Sequence, residues 1–410
     1  MAKKLVYQLY PIAWESKGGL QAMTEHLQHV INFLNVDYVW VSPLYPSPRY
    51  DHGYDIADYK SVDERFGTME DFDVFVETAH DLGIGILMDM VLNHTSTDHP
   101  WFREHPEYYY WTDADQRNDW QNLFDGGSVW EYDETREQYY LHLFHRKQAD
   151  LRWYDDESGE INYDLVSEFR DIVDFWVNEH YVDGFRLDVP QAIDKEIGNE
   201  SDLFDQFFEV EKSPGVLNAI FCGSGTQKNY EDLFLMLECL DPTYGDVADY
   251  YAAKTPYVDF TLNMLLKDAY SAAEEDEFKK LVARQTEHPN FILELESHDA
   301  PRFPSRGMDP REAIKLMFNS NALGICLYQG QELGLYNPTK RELPNVKLLE
   351  LDAQTAMRYE NGECLEELRP ISRANARVPI PTDQYVPQVF DDNSVLNLTR
   401  EMIRAWKNRE

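Results

Sequence analysis

The stretch Gly184-Phe185-Arg186-Leu187-Asp188-Val189 reads as a short strand whose apolar run ends on a cation and an acid. A helix-period segment, Glu168 to Tyr181, precedes it. The same unit recurs on both sides. Upstream strands are Leu5 to Tyr10, Tyr38 to Val41 and Gly85 to Leu92, separated by helices from Leu20 to about Leu34 and from Glu70 to about Leu82. Downstream strands are Leu233 to Glu238, Val258 to Phe260, Phe291 to Leu295 and Ile325 to Tyr328. Helices at about Glu277 to Thr286, Pro310 to Ala322 and Ser394 to Asn408 lie among and after them. Such alternation predicts parallel strands joined by right-handed crossovers. No glycine-rich phosphate loop follows the first strand, so a doubly wound sheet fits less well. The expected fold class is α/β, a (β/α)8 TIM barrel.

The rhythm breaks from His94 to about Tyr163, where the chain is polar and aromatic with clustered turn residues. A loop of that length should be a small domain of its own. The expected division is residues 1–93 for the first part of the barrel, 94–167 for an inserted domain B after strand three, and 168–410 for the rest of the barrel.

The length of 410 residues suits a barrel of ~250 residues with insertions. Acidic residues number 75 against 37 basic ones, a formal charge of −38. That balance repels a nucleic-acid backbone and an anionic membrane surface, and it tolerates a neutral small molecule. Nine Trp and 26 Tyr fit either a packed core or a cleft whose flat faces stack on sugar rings. Cys222, Cys239, Cys326 and Cys364 match no zinc or redox spacing, which points to reduced structural thiols. The start of the chain runs straight into strand residues without a secretory core, and no run of ~20 apolar residues could span a bilayer. A cytoplasmic protein is expected.

Chemistry in such a barrel belongs at the C-terminal ends of the strands. Polar residues cluster there: Asp89, Asn93 and His94 after strand three, Arg186 and Asp188 on strand four, Glu238 on strand five, His298 and Asp299 on strand seven. Any one aspartate there is most simply a helix cap or turn residue. Taken alone, His94 is a structural histidine and Arg186 an ion-pair partner of Asp188. Together, carboxylates from three strands meeting at one mouth are what glycoside hydrolysis requires. One acts as nucleophile or base while the other protonates the leaving oxygen. Arg186 beside Asp188 is expected to hold it ionised, and repulsion to keep Glu238 protonated.

These residues resemble the α-amylase superfamily of glycoside hydrolases (family 13), in its oligo-1,6-glucosidase, dextran glucosidase and α-glucosidase branch. The resemblance is carried by Asp51-His52-Gly53-Tyr54-Asp55, Asp89-Met90-Val91-Leu92-Asn93-His94-Thr95-Ser96 and Gly127-Ser128-Val129-Trp130. It continues through Gly184 to Val189, Tyr328-Gln329-Gly330-Gln331-Glu332 and Ser372-Arg373-Ala374-Asn375-Ala376-Arg377. By this resemblance Asp188 is the nucleophile, Glu238 the general acid/base and Asp299 the third carboxylate. His94 and His298 bond the glucose, Arg186 flanks the nucleophile, and Tyr54 is a stacking platform. Asp51 and Arg377 grip the terminal 4-hydroxyl and close the pocket, which implies exo cleavage. Val189 resembles members that prefer α-1,6 linkages.

The pattern departs from the family in three places. Leu237 and Cys239 flank Glu238 where Gly-Glu is usual, and Glu296-Ser297 precede His298-Asp299 where Asn-His-Asp is usual. An aspartate-rich calcium loop is replaced by Trp14-Glu15-Ser16-Lys17-Gly18-Gly19, so no obligatory metal and no cofactor are expected. The C-terminal all-β domain of relatives is expected to be missing. The resemblance implies a retaining α-glucosidase acting on a small oligosaccharide. A transglucosidase or sugar isomerase using the same glucosyl-enzyme intermediate, and a non-catalytic sugar-binding or scaffold homologue, stay open as alternatives.

Overall fold

A computed structural model describes residues 2–155, 158–195, 197, 210–222, 230, 232–338, 352–368 and 372–409. Eight parallel strands close into a barrel: β1 Lys4–Leu9, β2 Tyr38–Val41, β3 Gly85–Val91, β4 Gly184–Asp188, β5 Phe234–Cys239, β6 Phe260–Asn263, β7 Phe291–Glu294 and β8 Gly324–Tyr328. Each pairs with the next in sequence, and β8 returns to β1 with Gln8 opposite Tyr328. The barrel is the fold the alternation predicts. Around it run α1 Leu20–His29, α2 Met69–Asp81, α3 Tyr163–Asp174, α4 Ser213–Phe221, α5 Asp246–Lys254, α6 Glu275–Gln285, α7 Pro310–Asn319 and α8 Val395–Lys407.

Strand residues alternate between two apolar environments, as a two-residue period requires. Phe185, Leu187, Leu235, Leu237, Leu293 and Leu327 pack outward against the helices. Val6, Trp40, Leu87, Met236, Leu262, Ile292 and Cys326 fill the barrel interior. Gly184 permits close strand approach: a Cβ there would lie 1.9 Å from the Phe234 carbonyl oxygen. At the N-terminal end, aspartates preceding three strands tie neighbours together. Asp37, Asp183 and Asp259 accept hydrogen bonds from the backbone N–H of Leu5, Ile86 and Leu235 at 2.7, 2.7 and 2.9 Å.

That last bond explains why β6 starts later than the apolar run suggested: Asp259 serves as a cap, and the strand begins at Phe260. The first helix also ends early, at His29, followed by a 3-10 turn from Ile31 to Leu34. Thr68, Asp309 and Ser394 accept the helix-start N–H groups of α2, α7 and α8, so those starts follow local capping chemistry.

Between β3 and α3 the chain leaves the barrel. It forms a three-stranded antiparallel sheet of Trp111–Thr112, Gln138–Leu141 and Trp130–Asp133. A second, two-stranded pair joins His94–Ser96 to Gln148–Asp150, opposing His94 to Asp150. This pairing brings insert residues onto the barrel mouth. Among the described residues no helix is long and apolar enough to cross a membrane.

Candidate active site

A cavity opens at the C-terminal ends of the strands. Asp188, Glu238 and Asp299 line it, with Asp51, Tyr54, His94 and His298. Arg186 lies beneath. Its Nη1 is 2.5 Å from Asp188 Oδ1 and 2.7 Å from Asp89 Oδ1, while its Nη2 is 2.5 Å from Glu238 Oε1. One buried guanidinium thus holds three carboxylates from three strands. Its planar fork can engage several acids where an ammonium offers a single point charge. Strand alternation accounts for the convergence, since Asp89, Arg186 and Glu238 each sit two residues beyond an inward position.

Charge in this cluster differs from the simple expectation that Arg186 keeps Asp188 ionised. Burial pushes the Asp188 carboxyl well up; Arg186 opposes the rise, and Glu238 and Asp89 add to it. Asp89 is likewise pushed up to about 6 by burial, against Arg186. The physical reason is burial, which one positive charge divided among three acids does not offset. Asp188 and Asp89 therefore hold protons more readily than exposed carboxylates do.

Asp299 behaves oppositely. Burial disfavours its charge, yet the Lys267, Arg373 and Arg377 cations together hold it well below the usual carboxylate range. Its Oδ1 receives Arg373 at 3.1 Å and Arg377 at 3.2 Å. His298 Nε2 lies 3.2 Å from its Oδ2. Burial drives His298 well below its ordinary value and His94 down to about 3, so both imidazoles are neutral at physiological pH. Tyr54 hydroxyl donates to Asp89 Oδ2 at 3.0 Å and sits 2.6 Å from His298 Nε2. The Tyr54 and His298 rings are stacked at 5.3 Å and 4°. His94 Nε2 lies 2.9 Å from the Gln148 amide, which also donates to Asp51 Oδ2 at 3.1 Å.

The expected pairing of Asp51 with Arg377 differs in detail. Arg373, four residues earlier, is the arginine at Asp51, 3.5 Å from Oδ1 to Nη2, and it lines the cavity. Arg377 sits behind, donating to the His298 carbonyl at 2.9 Å and lying 3.0 Å from His52 Nδ1. Asp352 explains the choice, since its carboxylate receives the Arg373 backbone N–H at 2.8 Å and Nε at 3.3 Å. Sequence reasoning passed over Arg373 although it stands in a quoted motif. It also passed over Gln148, Lys267 and the cavity-lining Phe124, Phe144 and Met264. The two phenylalanines come from the insert, where no periodicity marks a facing side.

Asn93, just beyond β3, has its Oδ1 2.6 Å from the buried Lys195 ammonium. That ammonium also lies 3.2 Å from Asp150 Oδ2 and 2.9 Å from the Ala192 carbonyl. Val189, directly after Asp188, has φ of 28°, an uncommon conformation for a β-branched residue and one that clusters at functional sites.

Paired acids at the mouth of a closed barrel, one cation between them and a third ionised acid opposite, define a barrel hydrolase site. Residues 9–395 match the family model "Alpha amylase, catalytic domain". The chain is 31% identical to an α-glucosidase of Pediococcus pentosaceus, over 95% of this chain and 77% of that protein. It is 40% identical to an oligo-1,6-glucosidase of Heyndrickxia coagulans, over 93% and 76%. A trehalose-6-phosphate hydrolase structure from Bacillus licheniformis superposes with a TM-score of 0.80 at 26% identity, covering 99% of this chain and 83% of that one. The chain belongs to the α-amylase family and is a glycoside hydrolase.

Proposed function

We infer that this enzyme is a retaining, exo-acting α-glucosidase that removes glucose from the non-reducing end of short, neutral α-glucosides. The observation that carries the reading is the Arg186 guanidinium bridging Asp188 and Glu238 in one cavity wall. In this reading Asp188 attacks the anomeric carbon, forming a glucosyl ester as the glycosidic bond breaks. Glu238 gives its proton to the departing oxygen, then takes one from the water that releases glucose. In this reading Asp188 works ionised, paired with Arg186. Asp299, held ionised, accepts hydrogen bonds from sugar hydroxyls, joined by neutral His94 and His298. Tyr54 provides the flat face below the ring.

Asp51 and Arg373, with Arg377 behind, close the end of the pocket remote from the leaving group. This supports exo cleavage, because a longer chain would meet a charged wall. Four carboxylates and one arginine stand among the residues lining the cavity, which favours an uncharged sugar over a phosphorylated one. Val189 beside the nucleophile supports a preference for α-1,6 linkages. The reading also takes residues 94–167 as a separate inserted domain shaping the pocket. The buried free thiols Cys239 and Cys326 support a cytoplasmic setting.

The test combines stereochemistry and product analysis. Proton NMR of the first-formed sugar should show α-glucose, and β-glucose would refute a retaining mechanism. Assays over maltose, isomaltose, sucrose, trehalose, panose and trehalose 6-phosphate should show glucose release from neutral substrates, greatest for isomaltose. Longer oligosaccharides as the main products would point to transfer.

A further inference from the structure

Beneath the cavity the barrel interior is filled largely by apolar side chains. Ile292 of β7 packs into the interior cluster, while its neighbours Phe291 and Leu293 face the helices. Glu294, two residues beyond Ile292, therefore faces inward, and it is buried. Its Oε2 is 3.3 Å from Lys267 Nζ, and the buried Cys326 thiol of β8 lies beside the same carboxylate. Lys267 is buried as well, on the short helix Met264–Asp268 that follows β6 directly. Arg306 anchors that helix by donating to the Lys267 carbonyl at 2.6 Å.

A buried ion pair in a packed interior is weak evidence of stabilisation, because removing two charges from water costs about what their attraction returns. This pair therefore invites another account. The Lys267 ammonium also reaches toward the cavity, 3.9 Å from Asp299 Oδ2. The two arginines engage Asp299 Oδ1, so Lys267 supplies the full positive charge on the Oδ2 side, beside neutral His298. The surrounding acids outweigh burial and keep Lys267 protonated.

We propose that Lys267 is a positioning residue for Asp299: its ammonium fixes the orientation and charge of the carboxylate that grips the sugar ring. This rests on the reading of Asp299 as the third acid of the glucosidase site. Asp299 would exert its pull most strongly on the distorted ring of the transition state. Loss of its positioning charge should therefore lower kcat more than it raises KM.

The test uses the double substitution Lys267→Met/Glu294→Leu, which removes both buried charges at similar volume. Glu294→Gln, which keeps the ammonium, and Asp299→Asn are compared with it on p-nitrophenyl α-glucoside. The double variant should melt close to the wild type while kcat falls at least about tenfold, with KM changed by less than about threefold. Glu294→Gln should keep kcat within about threefold of wild type. Should the double variant fail to fold, Lys267→Gln/Glu294→Gln carries the same comparison with a neutral hydrogen-bonded pair. Wild-type kcat in a folded, charge-free variant, alongside a crippled Asp299→Asn, overturns the role of Lys267 and leaves the glucosidase reading standing. An equal loss in Glu294→Gln also overturns it, because the ammonium would still be present. Full activity in Asp299→Asn overturns the reading of the third acid itself, and this inference with it.

Discussion

Replacing Arg186 by Met would leave Asp89, Asp188 and Glu238 buried around an apolar side chain. Breaking a buried charge pair by removing one partner costs about 3–5 kcal/mol. Unfolding entropy of ~2.1 cal/mol/K per residue sums to roughly 0.9 kcal/mol/K over the 410 residues. The expected loss is therefore about 3–6 °C in Tm at pH 7.5. The pH dependence is more diagnostic. Asp89, raised by burial to about 6, and Asp188, also raised by burial, bind protons more tightly folded than unfolded. Their contribution to stability is complete below the unfolded aspartate value near 4 and is lost as pH rises through the folded values. Without Arg186 those folded values climb higher, so acid should relieve the variant. Melting curves of wild type and Arg186→Met at pH 5.0, 6.0 and 7.5, recorded in one buffer series, test this. The difference between the two proteins should shrink by at least about half from pH 7.5 to 5.0. A difference constant across pH would refute the idea that Arg186 compensates buried carboxylates and would assign the loss to packing alone.

Asp188→Ala should lower kcat/KM by about three or more orders of magnitude, and a 5-fluoroglucosyl fluoride should label the Asp188 peptide of wild type by mass spectrometry. Glu238→Gln should slow hydrolysis of isomaltose far more than glycosylation by nitrophenyl glucosides, whose leaving groups need no proton; pre-steady-state bursts measure the second. Arg373→Met should raise KM for isomaltose more than Arg377→Met does, because Arg373 faces Asp51 in the cavity while Arg377 bonds the backbone behind it; steady-state kinetics of both variants decide. Val189→Ala should shift the ratio of isomaltose to maltose turnover, and an unchanged ratio would remove Val189 as a linkage determinant.

The barrel was legible because each strand is a short apolar run set between helix-period segments. The three acids were legible because Asp188, Glu238 and Asp299 each follow such a run. What was hidden depends on tertiary position. Arg373 and Arg377 lie on one turn four residues apart, and only the buried Asp352 settles which of them meets Asp51. Glu294 passed as one residue of an apolar strand, since strand pattern alone does not show that its inward neighbour is a lysine from another strand's end. Phe124, Phe144 and Gln148 come from the insert, whose irregular course carries no period to read. The upward push on Asp188 was hidden because it comes first from burial and then from Glu238 and Asp89, which share its one cation.

The aspartate bonds at the opposite end of the barrel divide the molecule's labour. Asp37, Asp183 and Asp259 staple neighbouring strands to one another at the floor, away from the cavity at the mouth. Loops at the working rim can therefore be rebuilt to accept new substrates while the foundation that sets strand register stays untouched, which makes this floor the place for an engineer to add robustness without disturbing turnover.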